Sequence, residues 1–364
     1  MPFAILIAVG ILACCVSAAP AKAQSSPLVP SEWTSQLHVD HPLIGKLFKG
    51  NGKPSHSKQL VKQAQLTRFV LIGEIHDNPD HHVIQANLID AMASSSRGRR
   101  PSVVYEMVPR SLSREVARFD LTRDPKLDEF AKAVKWEERG WYSWDIYRPV
   151  ALAAARNNLP MVAGNLDREL TRRISKTGWD ALTQKQIEDF AVNTTLESNV
   201  ENEFLDAIDL SHCGLMPRSV LPAMLKVQRA RDGSMADAMI KSGLKFGSIL
   251  IAGNGHVRKD RGVPLVLETL LPGAKTLKLG DLFGAAGTQT GSNSVQVRIP
   301  NAHNLAIGLI EVQPDRLSFA DYELLSQDGA PIYDYVIFTP EFDDTDHCAS
   351  LREQFKTTKK PENE

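Results

Sequence analysis

An α/β fold, with a mainly parallel central sheet flanked by helices and a helical insertion forming a small lobe, is predicted by three observations. Short strand-forming runs alternate along the chain with segments of helical period. The runs are apolar almost throughout, as in Phe69 to Ile72 and Ser248 to Ile251, the pattern of strands buried on both faces. Four of them stop abruptly on polar residues: Glu74 and His76, Glu106, Asn165 and Asp167, and Asn254 and His256. Ligands of parallel sheets bind beyond the carboxyl ends of the strands, so this convergence marks the candidate site.

At 364 residues, 43% hydrophobic and 23% charged, the chain has ordinary globular composition and room for one large domain. A formal charge of −1 leaves no electrostatic footprint for nucleic acid, and Arg97-Gly-Arg-Arg100 reads as a solvated loop. Residues 1–23 read as a signal peptide. Ala4 to Ala19 is apolar but too short to span a bilayer, and Ala21-Lys22-Ala23 before Gln24 has the small-x-small cleavage pattern. Ile11-Leu-Ala-Cys14 loosely resembles a lipoprotein box, so lipidation at Cys14 stands as the alternative to soluble export. The expected location is periplasmic or outer-membrane-associated, with a membrane touched only through such an anchor. Cys213 and Cys348 survive cleavage and are expected to pair in an oxidising compartment. Each follows a histidine, His212 and His347, which makes a thiolate–imidazole metal site the sharper alternative, although no compact zinc spacing is present.

In chain order, residues 24–65 are polar and Pro-punctuated and read as an N-terminal lead-in. A strand over 66–73 follows. Asn78-Pro79 then opens a helix, with Asp77 or Asn78 as cap and Pro79 in the first turn, running to about Ser94. Its Val83, Ile84, Leu88, Ala91 and Met92 fall at helical spacing and should cover the sheet. Ser102-Val-Val-Tyr-Glu106 is the second strand, followed by a helix from Ser111. Trp136 to Tyr147 concentrates three of the five tryptophans, which suits either a flat apolar ligand or an ordinary aromatic core. Residues 152–156 are helical and 159–164 form the third strand. The stretch 168–243 has no strand pattern and reads as successive helices, including 184–206 and 221–241. A fourth strand (248–253), a helix (264–271) and a short strand (275–279) complete an α/β domain over 66–283. An extension over 284–351, with late strands at 306–312 and 334–338, and a disordered tail over 352–364 are expected beyond it.

Side chains alternate along a strand, so Glu74 and His76 approach one substrate or metal together. His81 and His82 are neighbours on a helix, so at most one can face the site. Gly253-Asn-Gly-His256 repeats the Gly-x-x-His spacing of Gly73-Glu-Ile-His76, and two copies at strand ends are a stronger signal than one. Arg258 suits a carboxylate or propionate, or a structural ion pair. Tyr142 or Tyr147 could ligate ferric iron as phenolate. Met235 and Met239 share a helix face, as core filler or as the soft wall of a macrocycle site. No Gly-x-Ser-x-Gly elbow, Walker loop, Rossmann fingerprint or His-Glu-x-x-His occurs, which disfavours serine hydrolase, NTPase, dinucleotide enzyme and zincin.

Seven motifs in order, Gly73-Glu-Ile-His-Asp-Asn78 with His81-His82, Tyr105-Glu106-Met107, Tyr147-Arg-Pro149, Leu159-Pro-Met-Val-Ala-Gly-Asn165, His212-Cys-Gly214, Gln228-Arg-Ala-Arg-Asp232 and Ala252-Gly-Asn-Gly-His-Val-Arg258, resemble the ChaN-type haem-binding uptake proteins of the Tiki/erythromycin-esterase-like superfamily. The resemblance implies an exported, often lipidated protein of iron supply, with haem between the α/β core and the helical lobe. It implies iron held by tyrosine, and Tyr147 lies in a matching motif. His82, Asn165, Arg258 and Met235 join it as candidate haem contacts, and an outer-membrane haem receptor and a homodimer are the implied partners. The wider superfamily includes metal-dependent peptidases and esterases. By that analogy Glu74, His76, Glu106 and His256 would form a hydrolytic centre, with His76 and His256 on a divalent metal.

Overall fold

The computed structural model describes residues 28–94, 100–119, 126–271, 275–278, 296–299 and 304–358. The segment read as a signal peptide, with Cys14 and Cys15, residues 97–99 of the basic run, the start of the expected extension and the last tail residues lie outside the described residues.

The elements in chain order are β1 (Leu47–Lys49), α1 (Ser57–Leu66), β2 (Phe69–Ile72), α2 (Pro79–Ala93), β3 (Ser102–Pro109), α3 (Ser113–Arg118), α4 (Leu127–Ala133), α5 (Trp144–Arg156) and β4 (Met161–Asn165). Then come α6 (Arg168–Thr177), α7 (Gln184–Asp189), α8 (Ser198–Ser211), α9 (Leu221–Ser242), β5 (Ser248–Ile251) and α10 (Val263–Leu270). The chain closes with β6 (Lys275–Lys278), β7 (Gln296–Ile299), β8 (Asn304–Glu311), β9 (Tyr335–Thr339) and α11 (His347–Thr358).

Seven strands form one sheet in the order β1-β9-β8-β2-β5-β3-β4, parallel throughout except for β1 against β9. β6 and β7 form a separate antiparallel pair. Because successive side chains point to opposite faces, β2 sends Val70 and Ile72 into one core and Phe69 and Leu71 into the other. All four are fully buried, and each contributes roughly 1.5–3 kcal/mol by leaving water. Helices α1, α2 and α5 cover the first face and α9 and α10 the second. Asn78 caps α2 through the Asp80 and His81 N–H groups, as its position before Pro79 predicts.

Four expectations change. The lead-in is structured: it holds β1 and α1, and the Asp80 carboxylate accepts the Thr34 and Ser35 N–H groups at 2.9 and 2.8 Å. Helix α1 buries only Leu60 and Ala64 among lysines and glutamines, too sparse a face to show as a periodic pattern. The helix expected over 184–206 is two helices, α7 and α8, separated where Ala191 adopts a left-handed conformation (φ 50°). The strands expected in a C-terminal extension belong to the central sheet: β8 pairs directly with β2, so no boundary falls at 283. The tail expected to be disordered from 352 is helical through Thr358.

The insertion over 168–243 is strand-free, yet it is not wholly a lobe. Helices α6 to α8 pack around small apolar clusters of their own, whereas the second half of α9 lies on the sheet with Met235, Ala236, Ala238 and Met239 in the second core. Cys213, just past α8, is disulfide-bonded to Cys348 in α11, which excludes a thiolate metal site at these cysteines. The bond spans 135 residues of sequence and ties the lobe to the C-terminal segment. Non-reducing peptide mapping should recover the two cysteines on one linked peptide. Cys213→Ser should lower unfolding stability by roughly 2–5 kcal/mol in denaturant titration, by loosening the unfolded-state constraint; an unchanged midpoint would show that the cross-link is energetically idle.

Candidate functional site

The site follows from strand order. β5 lies between β2 and β3, so the loops after β2 and β5 meet over the end of β3. The two Gly-x-x-His loops pack against each other with no room for a side chain. A Cβ on Gly73 would collide with the Asn254 amide, and one on Gly253 would stand 3.0 Å from His76 Nε2. Glycine at both strand exits is what lets the two histidines approach.

Glu106 is the hub. Its Oε2 accepts the Gly253 N–H at 2.8 Å and lies 3.9 Å from His76 Nε2. Its Oε1 accepts from the Arg231 guanidinium and lies 3.4 Å from His256 Nε2. Each imidazole is held from behind by another carboxylate: His76 Nδ1 on Glu74 Oε1 at 2.7 Å, and His256 Nδ1 on Asp232 Oδ1 at 2.6 Å. Glu74 also accepts from Gln85 Nε2 at 2.7 Å and from the Tyr147 hydroxyl at 2.8 Å. The result is a relay of acids and imidazoles, Glu74–His76–Glu106–His256–Asp232, with both Nε2 atoms turned toward the central carboxylate.

Burial and pairing compete at every member. Burial would raise the Glu106 carboxyl, but His256, Arg231 and His76 hold it well below the usual carboxylate range. Burial would lower His256, but Glu106 and Asp232 push it up to about 9. His76 moves up in the same way, against burial, through Glu106 and Glu74. Glu74 ends below its ordinary value: burial raises it, and His82 and His76 outweigh that. Asp232 is the exception, pushed up by burial despite His256, and its Oδ2 has no hydrogen-bond partner among the described residues.

Above this floor lies a cleft of about 660 Å³. Trp141 and Tyr142, from the segment before α5, form one wall, and Phe204 and Ile208 of α8 form the other. Gln228, Arg231 and Arg261 add to the polar lining, with Asp77, Ser211 and Asn254. Glu74, His76, Glu106 and His256 all line it, so four of the residues singled out in the sequence come together.

The remaining candidates stand elsewhere. Tyr147 is fully buried beneath the floor, between His82 and Trp136, and burial beside Glu74 raises its pKa so far that it stays a neutral donor. Tyr142, 47% exposed, is the tyrosine that faces the cleft. His82 is buried with Nε2 3.2 Å from the His76 carbonyl, and His81 accepts the Ile75 N–H at 2.8 Å. Both histidines therefore brace the loop and neither enters the cleft. Arg258 is paired with Asp260, and Arg261 lines the cleft in its place. Met235 is core, because α9 lies on the sheet there. The Asn165 amide oxygen accepts from the Leu166 N–H and from Arg231 Nε.

Asp232, Arg231 and Gln85 were not singled out by spacing. An acid on the same helix face as Met235, Ala236 and Met239 was the available sign of Asp232. A three-residue set of ligand atoms within 4.8 Å of one another occurs, among the described residues, at Asp77, Asp343 and His347 on the rim, not at His76, Glu106 and His256.

Residues 60–267, more than half of the chain, match the family model described as "Haem-binding uptake, Tiki superfamily, ChaN". Among curated proteins none matches the sequence. Of solved structures, ChaN of Campylobacter jejuni, described with cofacial haem binding, is 19% identical with a TM-score of 0.55, covering 80% of this chain and 95% of its own. The likeness shows the shared fold. The type III effector HopBA1 (11% identical, TM-score 0.36, covering 78% of this chain and 92% of that one) and the erythromycin esterase EreC (12%, 0.34, 80% and 94%) are more distant.

A group whose pKa is raised on folding stabilises the fold below its unfolded value and loses that contribution as pH rises through the folded value. For His256 the window runs from about 6.5 to about 9. In chelator-treated protein, the stability difference between wild type and His256→Gln should be on the order of a few kcal/mol at pH 6 and shrink by pH 9.5. A difference independent of pH in denaturant titrations would contradict the ionised relay.

Proposed function

We infer, because this chain belongs to the haem-binding uptake family (Tiki superfamily, ChaN), that it is an exported haem-binding protein of haem or iron uptake whose cargo occupies the cleft between sheet and α8. The observation that carries this reading is the make-up of the cleft. Apolar groups on both walls, Trp141 on one and Phe204 and Ile208 on the other, rise from an ionic floor, and one tyrosine hydroxyl lines the same space. A macrocycle with an apolar face, carboxylate arms and a ferric centre needs all three kinds of contact.

Tyr142 would hold the iron and Arg231 and Arg261 the carboxylates. In the free protein burial, Asp77 and Asp343 keep the Tyr142 phenol above its ordinary value, so coordination must expel that proton. Export is supported by the Ala21-Lys22-Ala23 site and by the Cys213–Cys348 disulfide, a bond of oxidising compartments. Among the described residues no helix is long and apolar enough to cross a membrane. An outer-membrane haem receptor and a second copy of the chain are the partners that accompany this reading.

A metal-dependent peptidase or esterase, the other reading of the floor, is the weaker one. A divalent ion on His76 and His256 would have to displace protons held by Glu106 and compete with Arg231 for that carboxylate.

Titration of the purified protein with hemin should shift the Soret band away from that of free hemin. Tyr142→Phe should weaken binding at least tenfold and alter the ferric spectrum, while Tyr147→Phe should leave the spectrum unchanged. A wild-type spectrum indistinguishable from hemin in buffer would remove the haem reading. Loss on Tyr147→Phe alone would move the ligand to the buried tyrosine.

A further inference from the structure

We propose that the cleft continues into a second chamber, lined by Arg139, Arg168 and Arg231, that receives one carboxylate arm of the ligand. With haem as the cargo, on the reading above, the arm is a propionate. The chamber measures about 300 Å³ and shares Glu106, Trp141 and Arg231 with the main cleft. The Trp141 indole stands where the two meet, edge-to-face with His76 at 5.1 Å. The remaining lining comes from separate elements: Arg139 from the turn before α5, Asn165 from the end of β4, and Arg168 and Thr171 from the first turn of α6.

The three guanidiniums are not equivalent. Arg231 is committed to Glu106. Arg139 donates from Nε to the Val134 carbonyl at 2.8 Å and from one Nη to the Met107 carbonyl, which locks the orientation of its plane. Its other Nη is buried without a hydrogen-bond partner, and no described carboxylate pairs with it. An unpaired buried donor costs free energy, which a small turn of the side chain toward the chamber would let a bound acceptor recover. Burial lowers Arg139 to about 10, so it still carries its charge at neutral pH. Arg168 is exposed at the start of α6, with no ion pair among the described residues, and the unsatisfied N–H groups of that helix end add to the positive potential.

The charge balance selects the ligand class. Three arginines face two lining carboxylates, Glu106 and Glu138, which leaves one net positive charge. A monoanion neutralises it, whereas a dianionic phosphate would leave the chamber negative. A carboxylate also matches the planar fork of a guanidinium.

The test compares hemin with hemin dimethyl ester, whose arms carry no charge, on wild type, Arg168→Glu and Arg139→Gln. Wild type should prefer hemin about tenfold or more, the size of one charge-assisted pair. Arg168→Glu, an exposed position, should cut that preference at least about fivefold, the other arm keeping its contact with Arg261; Arg139→Gln should do the same. Equal binding of acid and ester by wild type would overturn the chamber and leave the haem reading standing. A preference undiminished in Arg168→Glu would also overturn it. Should neither porphyrin bind, the haem reading falls, and calorimetric titration with benzoate decides the chamber by itself: saturable heat lost in Arg168→Glu supports it, and no heat sinks it.

Discussion

The rest of the site depends on one buried carboxylate. Glu106 is almost wholly out of water, where an isolated charge would cost several kcal/mol, and it stays ionised because Arg231, His256 and His76 converge on it. Those partners are buried or half-buried in turn and need acids of their own, which Glu74 and Asp232 supply. The network extends outward through Gln85 and Tyr147 until neutral hydrogen-bond donors close it. A polar cluster of this kind is stable only when nearly complete, and among the described residues Asp232 Oδ2 is the buried acceptor in it without a partner.

That network also sets the shape of the cleft. His81, His82 and Tyr147 are spent on bracing the loop after β2, which leaves Tyr142 and Trp141 as the aromatic groups that this wall presents to a ligand. The opposite wall has a different origin. Helix α8 packs chiefly on α9 through a small apolar cluster containing Phe204 and Ile208, and the disulfide at its far end anchors it to the C-terminal segment. One wall is thus rigid through buried ionic bonds, and the other through a covalent cross-link.

Much of this was legible in the linear chain. Continuous apolar runs marked β2, β3, β4 and β5 because a strand covered on both faces tolerates no polar residue, and the abrupt polar stops marked their carboxyl ends. Glu74, His76, Glu106 and His256 were found by that rule. The failures were of two physical kinds. Elements with sparse apolar faces, such as α1, show no period. Roles that depend on which way a helix is turned, such as those of Met235 and Arg258, cannot be assigned until the helix or loop is docked.

The sequence by itself determined the fold class, the strand ends and the two Gly-x-x-His loops, because each rests on local chemistry; it favoured pairing of the last two cysteines, and the structure decided it. Only the tertiary structure decided that β5 inserts between β2 and β3 and that β8 joins the same sheet. Strand order brings together residues more than a hundred positions apart, and no local propensity encodes it. The choice of Tyr142 over Tyr147 as the exposed phenol belongs to the same class. Both tyrosines lie in one aromatic segment, and burial alone, set by how α5 packs on α2, separates them.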